Sequence, residues 1–306
     1  MRWLRWLGYA LVVLLVIGAG AYYWLIVDSS GPSGDARYEI DMAEVRRLAS
    51  SLQGDKPTEI RFEHVASFKF PFTAAVAGES WEMLDVPVFS YQVVYPTGTL
   101  IIDTGVDGAQ AAKDENVTFY PEPYARMQKA METTSWIVIT HEHPDHIGGL
   151  VAHPNIALVM TRAKLTREQI EHPEKMFGLK WPPGVIDNQE RIDYDRYLAV
   201  APGVVLVKAP GHTPGSQMVF VQRADGKEML FLGDVAWRFE SVERVRTRAR
   251  LVSQFMLGED RDAVMRELVE LHRIHEAEPS LTMVAGHDAK HHAETVQQGL
   301  LIEGFK

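Results

Sequence analysis

The sequence predicts an α/β domain preceded by an apolar helix of membrane-spanning length. Three observations carry that reading. Strand-like apolar runs alternate with amphipathic helical stretches from Asp41 to Ala285. An uncharged apolar run occupies Trp6 to Val27. Histidines and aspartates stand directly after several of the strand-like runs, which places candidate metal ligands at one sheet edge.

Composition sets the limits. A chain of 306 residues can bury a substantial core, and beyond its N-terminal segment it reads as one large domain. A net charge of −10 argues against a nucleic-acid partner, which needs a basic face. With no cysteine there is no thiol nucleophile, thiolate ligand or disulfide, and the redox compartment stays open. The oligomeric state is not legible.

The N-terminal run has 22 residues, roughly 33 Å of helix at about 1.5 Å per residue, which is enough for a bilayer core. Arg2 and Arg5 precede it and Asp28 follows, leaving the N-terminus in the cytoplasm. Trp3, Trp6, Tyr22, Tyr23 and Trp24 fit the two interfacial belts. Ala19-Gly20-Ala21 offers the alternative of a cleaved signal peptide, but apolar residues continue past it, which favours an uncleaved anchor. The resulting division is 1–28 anchor or signal, 29–37 small-residue linker and 38–306 soluble domain. Either reading puts that domain outside the cytoplasm, periplasmic or extracellular.

Within the domain, Asp41 to Leu52 reads as a helix with Met42, Val45 and Leu48 on one face. Strands follow at Glu59–Phe70, Val86–Tyr95 and Thr99–Gly105. Tyr120 to Met131 is a helix, Trp136–Ile139 a strand, Gly148-Gly149 the opening of a short helix and Ile156–Met160 a further strand. Thr161 to Leu198 shows no sheet periodicity; its Met176, Phe177 and Trp181 could wall a substrate pocket or merely cover sheet surface. Val204–Lys208 is a strand, and Gln217–Gln222 pairs with Glu228–Leu232 across Ala224-Asp225-Gly226. Arg261 to Glu276 is a helix with an apolar face of Val264, Leu268 and Leu271, and Leu281–Ala285 is the last strand. Arg238, Arg244, Arg246, Arg248 and Arg250 form a basic cluster interleaved with Glu240 and Glu243, which favours a solvated, salt-bridged face over an anchor for an anionic substrate.

The chemistry concentrates in T-H-E-H-P-D-H-I-G-G, Thr140 to Gly149, where His141, His143, Asp145 and His146 occupy six residues after a strand. Nitrogen and oxygen donors of this kind suit zinc and similar divalent ions, and one ion would not need all four. His-x-His-x-Asp-His resembles the signature of the metallo-β-lactamase superfamily. The resemblance extends downstream to Gly211-His212-Thr213-Pro214-Gly215, to Gly233-Asp234 and to Gly286-His287. It implies an αββα four-layer sandwich holding two divalent metals, most readily Zn2+, at a sheet edge. His141, His143 and His212 are implied for one metal and Asp145, His146 and His287 for the other, with Asp234 between them. Asp103, at the end of its strand, is implied to orient a ligand loop, with a plain turn-capping carboxylate as the alternative. The implied reaction is hydrolysis by a shared hydroxide, with Asp145 and Asp234 as catalytic residues.

Substrate is less constrained. The ligand spacing resembles that of acyl-homoserine lactonases, but those commonly carry a tyrosine three residues after the bridging aspartate. Here Trp237 stands at that position and has no hydroxyl for a substrate carbonyl. Zinc β-lactamases usually have cysteine or serine where Asp234 stands, and only 19 residues follow His287, too few for a glyoxalase II-type helical region. We therefore expect an exported metallohydrolase of esters or lactones acting on a small molecule. Organophosphate or phosphodiester hydrolysis is the alternative, and iron-dependent oxygen chemistry is the reading from another class.

Overall fold

The computed structural model describes residues 2–31 and 37–306, so the centre of the expected linker, 32–36, lies outside the described residues. Among the described residues, thirteen strands form two sheets. The first contains β1 (Glu59–Pro71), β2 (Met83–Tyr95), β3 (Gly98–Ile102), β4 (Thr118–Phe119), β5 (Trp136–Val138), β6 (Ala163–Thr166), β7 (Arg191–Ile192) and β13 (Ile302–Glu303). The second contains β8 (Tyr197–Ala201), β9 (Val204–Lys208), β10 (Gln217–Gln222), β11 (Glu228–Phe231) and β12 (Thr282–Val284). Their orders are β13-β1-β2-β3-β5-β6-β7, with β4 beside β1, and β12-β11-β10-β9-β8.

Strand alternation explains why the sheets stack. On β9, Val204 and Leu206 face the first sheet while Val205 and Val207 face outward, and β10 divides Val219 and Val221 from Met218 and Phe220 in the same way. The inward residues meet Ile60, Phe62, Phe89, Tyr91, Leu100 and Ile102 in a core between the sheets. Outside the second sheet pack the helices Met42–Ala49 and Arg261–Ala277, through Val45, Val264, Leu268 and Leu271. Outside the first lie Pro121–Met131 and Pro144–Val151, through Met127, Met131, Ile147 and Leu150. The result is the four-layer αββα sandwich expected from the resemblance. The strand runs that precede candidate ligands all end at one edge: β3, β5, β9, β11 and β12 deliver residues 103, 141, 212, 234 and 287 there.

Several local expectations are corrected. Ile156–Met160 is a helix, and the strand lies beyond it at Ala163–Thr166. Five apolar residues fit either period, and burial of Val159 and Met160 on the outer face selects the helix. The helix after the metal motif opens at Pro144, a favoured first-turn residue, and not at the glycine pair. Gly149 sits mid-helix because a Cβ there would come 2.1 Å from the carbonyl oxygen of Thr104. That close approach lets Thr104 N–H donate to His146 O at 2.7 Å and Gly149 N–H to Gly105 O at 3.0 Å, tying the helix to the end of β3. Thr161 to Leu198 contains two strands, the start of a third and the Arg167–Glu171 helix, whose Thr166 and Gln169 form a capping box.

The N-terminal segment is an α-helix over Arg2–Tyr22 that continues as a π-turn over Tyr23–Val27. It is long and apolar enough to cross a membrane, and residues 2–24 are all exposed.

One buried histidine sets an expectation for acid stability. His292 stacks on Phe89, with ring centroids 3.8 Å apart, and stands edge-on to Phe62 at 4.3 Å. Its Nε2 is buried without a partner. Burial pushes its pKa down to about 3 from 6.5. Between those values the unfolded chain takes up a proton that the folded one does not. This residue therefore costs nothing above about pH 6.5 and destabilises progressively as pH falls toward 3. His292→Phe is expected to keep the packing and flatten that limb, by a few kcal/mol at most. Urea unfolding from about pH 7.5 to 4 checks it; parallel limbs in the two proteins would show that another group titrates.

Candidate metal centre

The chain leaves β5 at Val138 and turns through Thr140 so that His141 and His143 project from the loop, and His143 then becomes the N-cap of the Pro144–Val151 helix. Asp145 and His146 sit in that helix's first turn. The Asp145 carboxylate is favoured there by the helix dipole. His212 comes from the loop after β9, Asp234 from a single 3-10 turn after β11 and His287 from the residues after β12. All seven converge. His141, His143, His212 and Asp234 offer donor atoms within 4.8 Å of one another, and so do Asp145, His146 and His287.

Asp234 divides itself between the two groups. Its Oδ1 lies 3.0 Å from His287 Nε2 and 3.2 Å from His146 Nε2, while Oδ2 lies 3.2 Å from His212 Nε2 and 3.6 Å from His141 Nε2. Asp145 Oδ2 is 3.5 and 3.6 Å from His287 and His146 Nε2. Two ligands at about 2.0–2.1 Å from one tetrahedral zinc stand about 3.4 Å apart, so these spacings are those of donors around a shared ion.

The far sides of the rings fix their tautomers. His146 Nδ1 is 2.8 Å from Asp103 Oδ2, His287 Nδ1 is 2.7 Å from the carbonyl of Pro87, and His212 Nδ1 is 2.5 Å from Glu259 Oε1. Each partner can only accept, so each Nδ1 carries the proton and each Nε2 presents a lone pair. The lone pairs of His146 and His287 then face each other at 3.3 Å, and that of His212 faces His143 Nδ1 at 2.9 Å and an Asp234 oxygen at 3.2 Å. Such a gathering of acceptors needs a cation or protons at its centre. Buried His141 Nε2, His143 Nε2 and Asp234 Oδ1 also lack any hydrogen-bond partner of good geometry.

The electrostatics follow from burial and crowding. Burial, then neighbouring imidazoles, hold His141 and His143 well below the ordinary histidine value, which keeps them neutral and able to ligate. For His146 and His287 burial acts in the same downward sense, but Asp234 and Asp145 overcome it and raise both. Burial would raise Asp234, and the four histidines around it bring it well below the carboxylate range instead.

Asp103 accepts from Thr140 N at 2.6 Å and Thr140 Oγ1 at 2.8 Å as well as from His146, and it holds a left-handed φ of 58° to do so. Strain of this kind persists only where several bonds secure it. Three further residues carry no motif signal in the sequence. Glu259 anchors His212 and pairs with buried Arg248, whose Nη2 donates to the Asp234 carbonyl at 2.8 Å. Glu142, between the first two histidines, accepts from Thr213 Oγ1 at 2.8 Å and Gly215 N at 3.2 Å, clasping the second ligand loop to the first.

The expected pocket residues separate. Phe177 lies beside the centre, its ring 5.0 Å from that of His143. Met176 is instead fully buried in the outer core on Ile147 and Leu150, and Trp181 packs against the same cluster, because the Pro173–Met176 turn points its apolar side inward. Trp237 does not present its polar edge to a ligand: its indole N–H donates to Asp234 Oδ2 at 2.6 Å. The basic cluster is salt-bridged as expected, Arg238 to Glu240 included, but of its five arginines only Arg244 is exposed. Arg238 and Arg248 are buried, and Arg238, Arg244 and Arg250 pair with Asp288, Glu79 and Asp28. A cavity of about 790 Å3 lined by Arg37, Glu39, Arg196, Arg266 and Arg273 shares no residue with the metal centre.

Comparison with known proteins agrees with this geometry. A family model described as the metallo-beta-lactamase superfamily matches residues 83–287, which include all seven donors. An N-acyl homoserine lactonase of Bacillus sp. is 27% identical over 205 residues, 61% of this chain and 80% of that protein. A probable metallo-hydrolase of Mycobacterium tuberculosis is 32% identical over 173 residues, 50% of this chain and 54% of that one. The structure of an N-acyl homoserine lactone hydrolase with N-hexanoyl-L-homoserine at its catalytic metal centre shares the fold, with a TM-score of 0.62 and 18% identity over 78% of this chain and 96% of that chain. Donor set, layer order and family match converge: the chain belongs to the metallo-beta-lactamase superfamily, as one of its metal-dependent hydrolases.

Proposed function

We propose that the protein is a membrane-anchored dinuclear zinc hydrolase of lactones or esters, with its catalytic domain on the far side of the membrane from a cytoplasmic N-terminus. The observation that carries the metal assignment is the convergence of imidazole lone pairs on the two oxygens of Asp234. His141, His143 and His212 would hold one ion and Asp145, His146 and His287 the other, with Asp234 spanning both. When bound, such ions supply Lewis acidity and a nucleophile drawn from water near neutral pH.

The chain's own groups supply positioning and proton handling. Asp103, Glu259 and the Pro87 carbonyl hold three rings in the ligating tautomer before any substrate arrives. The Trp237 N–H fixes the rotamer of Asp234. Asp145, the one donor of the seven that is only half-buried, lies against His146 and His287 yet keeps contact with solvent, which suits it to take a proton and return it to a leaving alkoxide. The N-acyl homoserine lactonases among the relatives support a lactone as substrate. The engagement of Trp237 with Asp234 means that this side chain donates nothing to a lactone carbonyl, so carbonyl orientation must come from elsewhere.

Metal analysis of the purified protein is expected to find about two zinc per chain, and His143→Ala to lower turnover of an aryl ester or lactone by at least about a hundredfold. Undiminished turnover in the variant would overturn the mechanism, and iron with no ester turnover would favour oxygen chemistry. Glu259→Gln is expected to weaken zinc affinity by about 10–100-fold in a chelator competition while the fold persists, because His212 loses its anionic acceptor. Equal affinity in the two proteins would reduce Glu259 to a partner of Arg248 alone.

A further inference from the structure

The N-terminal helix does not simply end and release the domain. Asp28 pairs with Arg250 at 2.5 Å, and its carbonyl accepts from Arg261 Nη2. The carbonyl of Ile26 accepts from Gly78 N at 3.0 Å, and Ser29 Oγ accepts from Thr247 N at 3.1 Å. Trp24 meets Phe255 edge-on at 5.9 Å and lies under the Arg250 guanidinium at 4.9 Å. Tyr22 OH accepts from Trp81 Nε1 at 3.2 Å. The last turns of the helix are docked against Gly78–Trp81 and the 247–261 segment.

Around that docking site the domain exposes large apolar side chains. Phe255 is 63% exposed and Trp81 58%, and Leu251, Met256 and Met83 are close to half exposed. Leu251, Phe255 and Met256 belong to one π-turn, Leu251–Met256, that points them outward while Val252 packs inward on Trp237. A further exposed aromatic stands beside the candidate metal residues. Lys175 Nζ donates to Leu257 O and Gly258 O at 3.1 and 2.8 Å, which brings Phe177, 51% exposed and against the His143 ring, to the same side. Large exposed apolar side chains gathered around the end of a membrane-length helix are what a membrane-contacting surface presents.

From this arrangement, and resting on the anchor reading above, we infer that the Leu251–Met256 turn, with Trp81 and Phe177, lies in the headgroup region of the bilayer that the N-terminal helix enters. The metal centre consequently takes lactones or esters with a hydrocarbon tail from the membrane surface, the tail lying along Phe255 and Phe177 while the acyl carbonyl reaches His143 and Asp234. Interfacial immersion accounts for three features together: the aromatic residues at the helix exit, the outward π-turn and the firm docking that prevents the domain from turning its site away.

The absence of cysteine allows a direct test on the full chain. Phe255→Cys is labelled with the environment-sensitive fluorophore NBD and the protein is reconstituted into phosphatidylcholine–phosphatidylglycerol vesicles containing shallow doxyl lipid. Asp225→Cys, in the hairpin turn at the opposite strand ends, is the control, and Trp81→Cys repeats the test should the first variant fold poorly. The expected result is blue-shifted emission and several-fold stronger quenching at 255 or 81 than at 225. In the same vesicles, Phe255→Ser combined with Met256→Ser is expected to lower the preference for a dodecanoyl over a butanoyl lactone by about tenfold. Protein that floats with the vesicles yet shows no quenching at 255 or 81 overturns the interfacial surface and leaves the anchor standing. Protein that fails to float overturns the anchor and the inference with it. An unaltered chain-length preference overturns delivery from the membrane.

Discussion

The arrangement of this domain turns on one buried carboxylate. Asp234 is almost wholly removed from water, and an ionised carboxylate in that position is tolerated only if positive charge meets it. No lysine or arginine side chain pairs with it among the described residues; Arg248 donates to its main-chain carbonyl and to Glu259 instead. What surrounds the carboxylate is four imidazoles, three of them with the inward nitrogen made an acceptor by a partner on the far side. Without a cation such a centre must find protons instead. The fold gathers the seven candidate donors from four separate chain segments, which is possible only where both sheets end.

Meeting at one edge demands close backbone approach, and the sequence allows it with few residues. A Cβ at Gly286 would lie 2.7 Å from the carbonyl of Gly233 and 2.8 Å from Asp234 Oδ1, so glycine is what lets the β12 loop bring His287 up against the β11 loop. Gly149 does the same where the ligand helix crosses the end of β3. Around these contacts Asp103, Glu142 and Glu259 act as clasps between segments, each spending a buried carboxylate on two or more donors. Of these Glu142 is raised by burial, whereas Arg248 and His212 hold Glu259 low despite its burial. The supporting charges are thus tuned by their partners, and the ligand loops inherit that rigidity.

Much of this was legible in the sequence because the informative signals were local. A strand followed at once by histidine or aspartate reads the same in one dimension as in three, so β5, β9, β11 and β12 could be located from their apolar runs and the donors placed at their ends. Where a signal was not local the reading failed. Ile156–Met160 carries no polar residue to mark a face, so its period could not be told. Glu259 reaches His212 across 47 positions, and no pattern in either segment announces the pair. Met176 and Phe177 are adjacent and both apolar, yet one closes the outer core and the other borders the metal residues; only the turn geometry decides. The arginine cluster was half legible for a related reason: Glu240 does pair with Arg238, but the other partners, Asp28, Glu79, Glu259 and Asp288, lie elsewhere in the chain.

The segment from Arg248 to Arg261 joins the two ends of the molecule's logic. Its Arg248 and Glu259 secure Asp234 and His212, while its Arg250, Phe255 and Arg261 grip the end of the N-terminal helix. Within the same stretch Val252 and Leu257 pack on Trp237, whose indole holds the carboxylate that both donor groups face. A tether would need only a flexible linker and a single covalent connection. This helix is instead secured by an ion pair, main-chain hydrogen bonds and an aromatic contact, on the very segment that supports the metal ligands. The end of the helix is thus held by the same short stretch whose Arg248 and Glu259 contact Asp234 and His212.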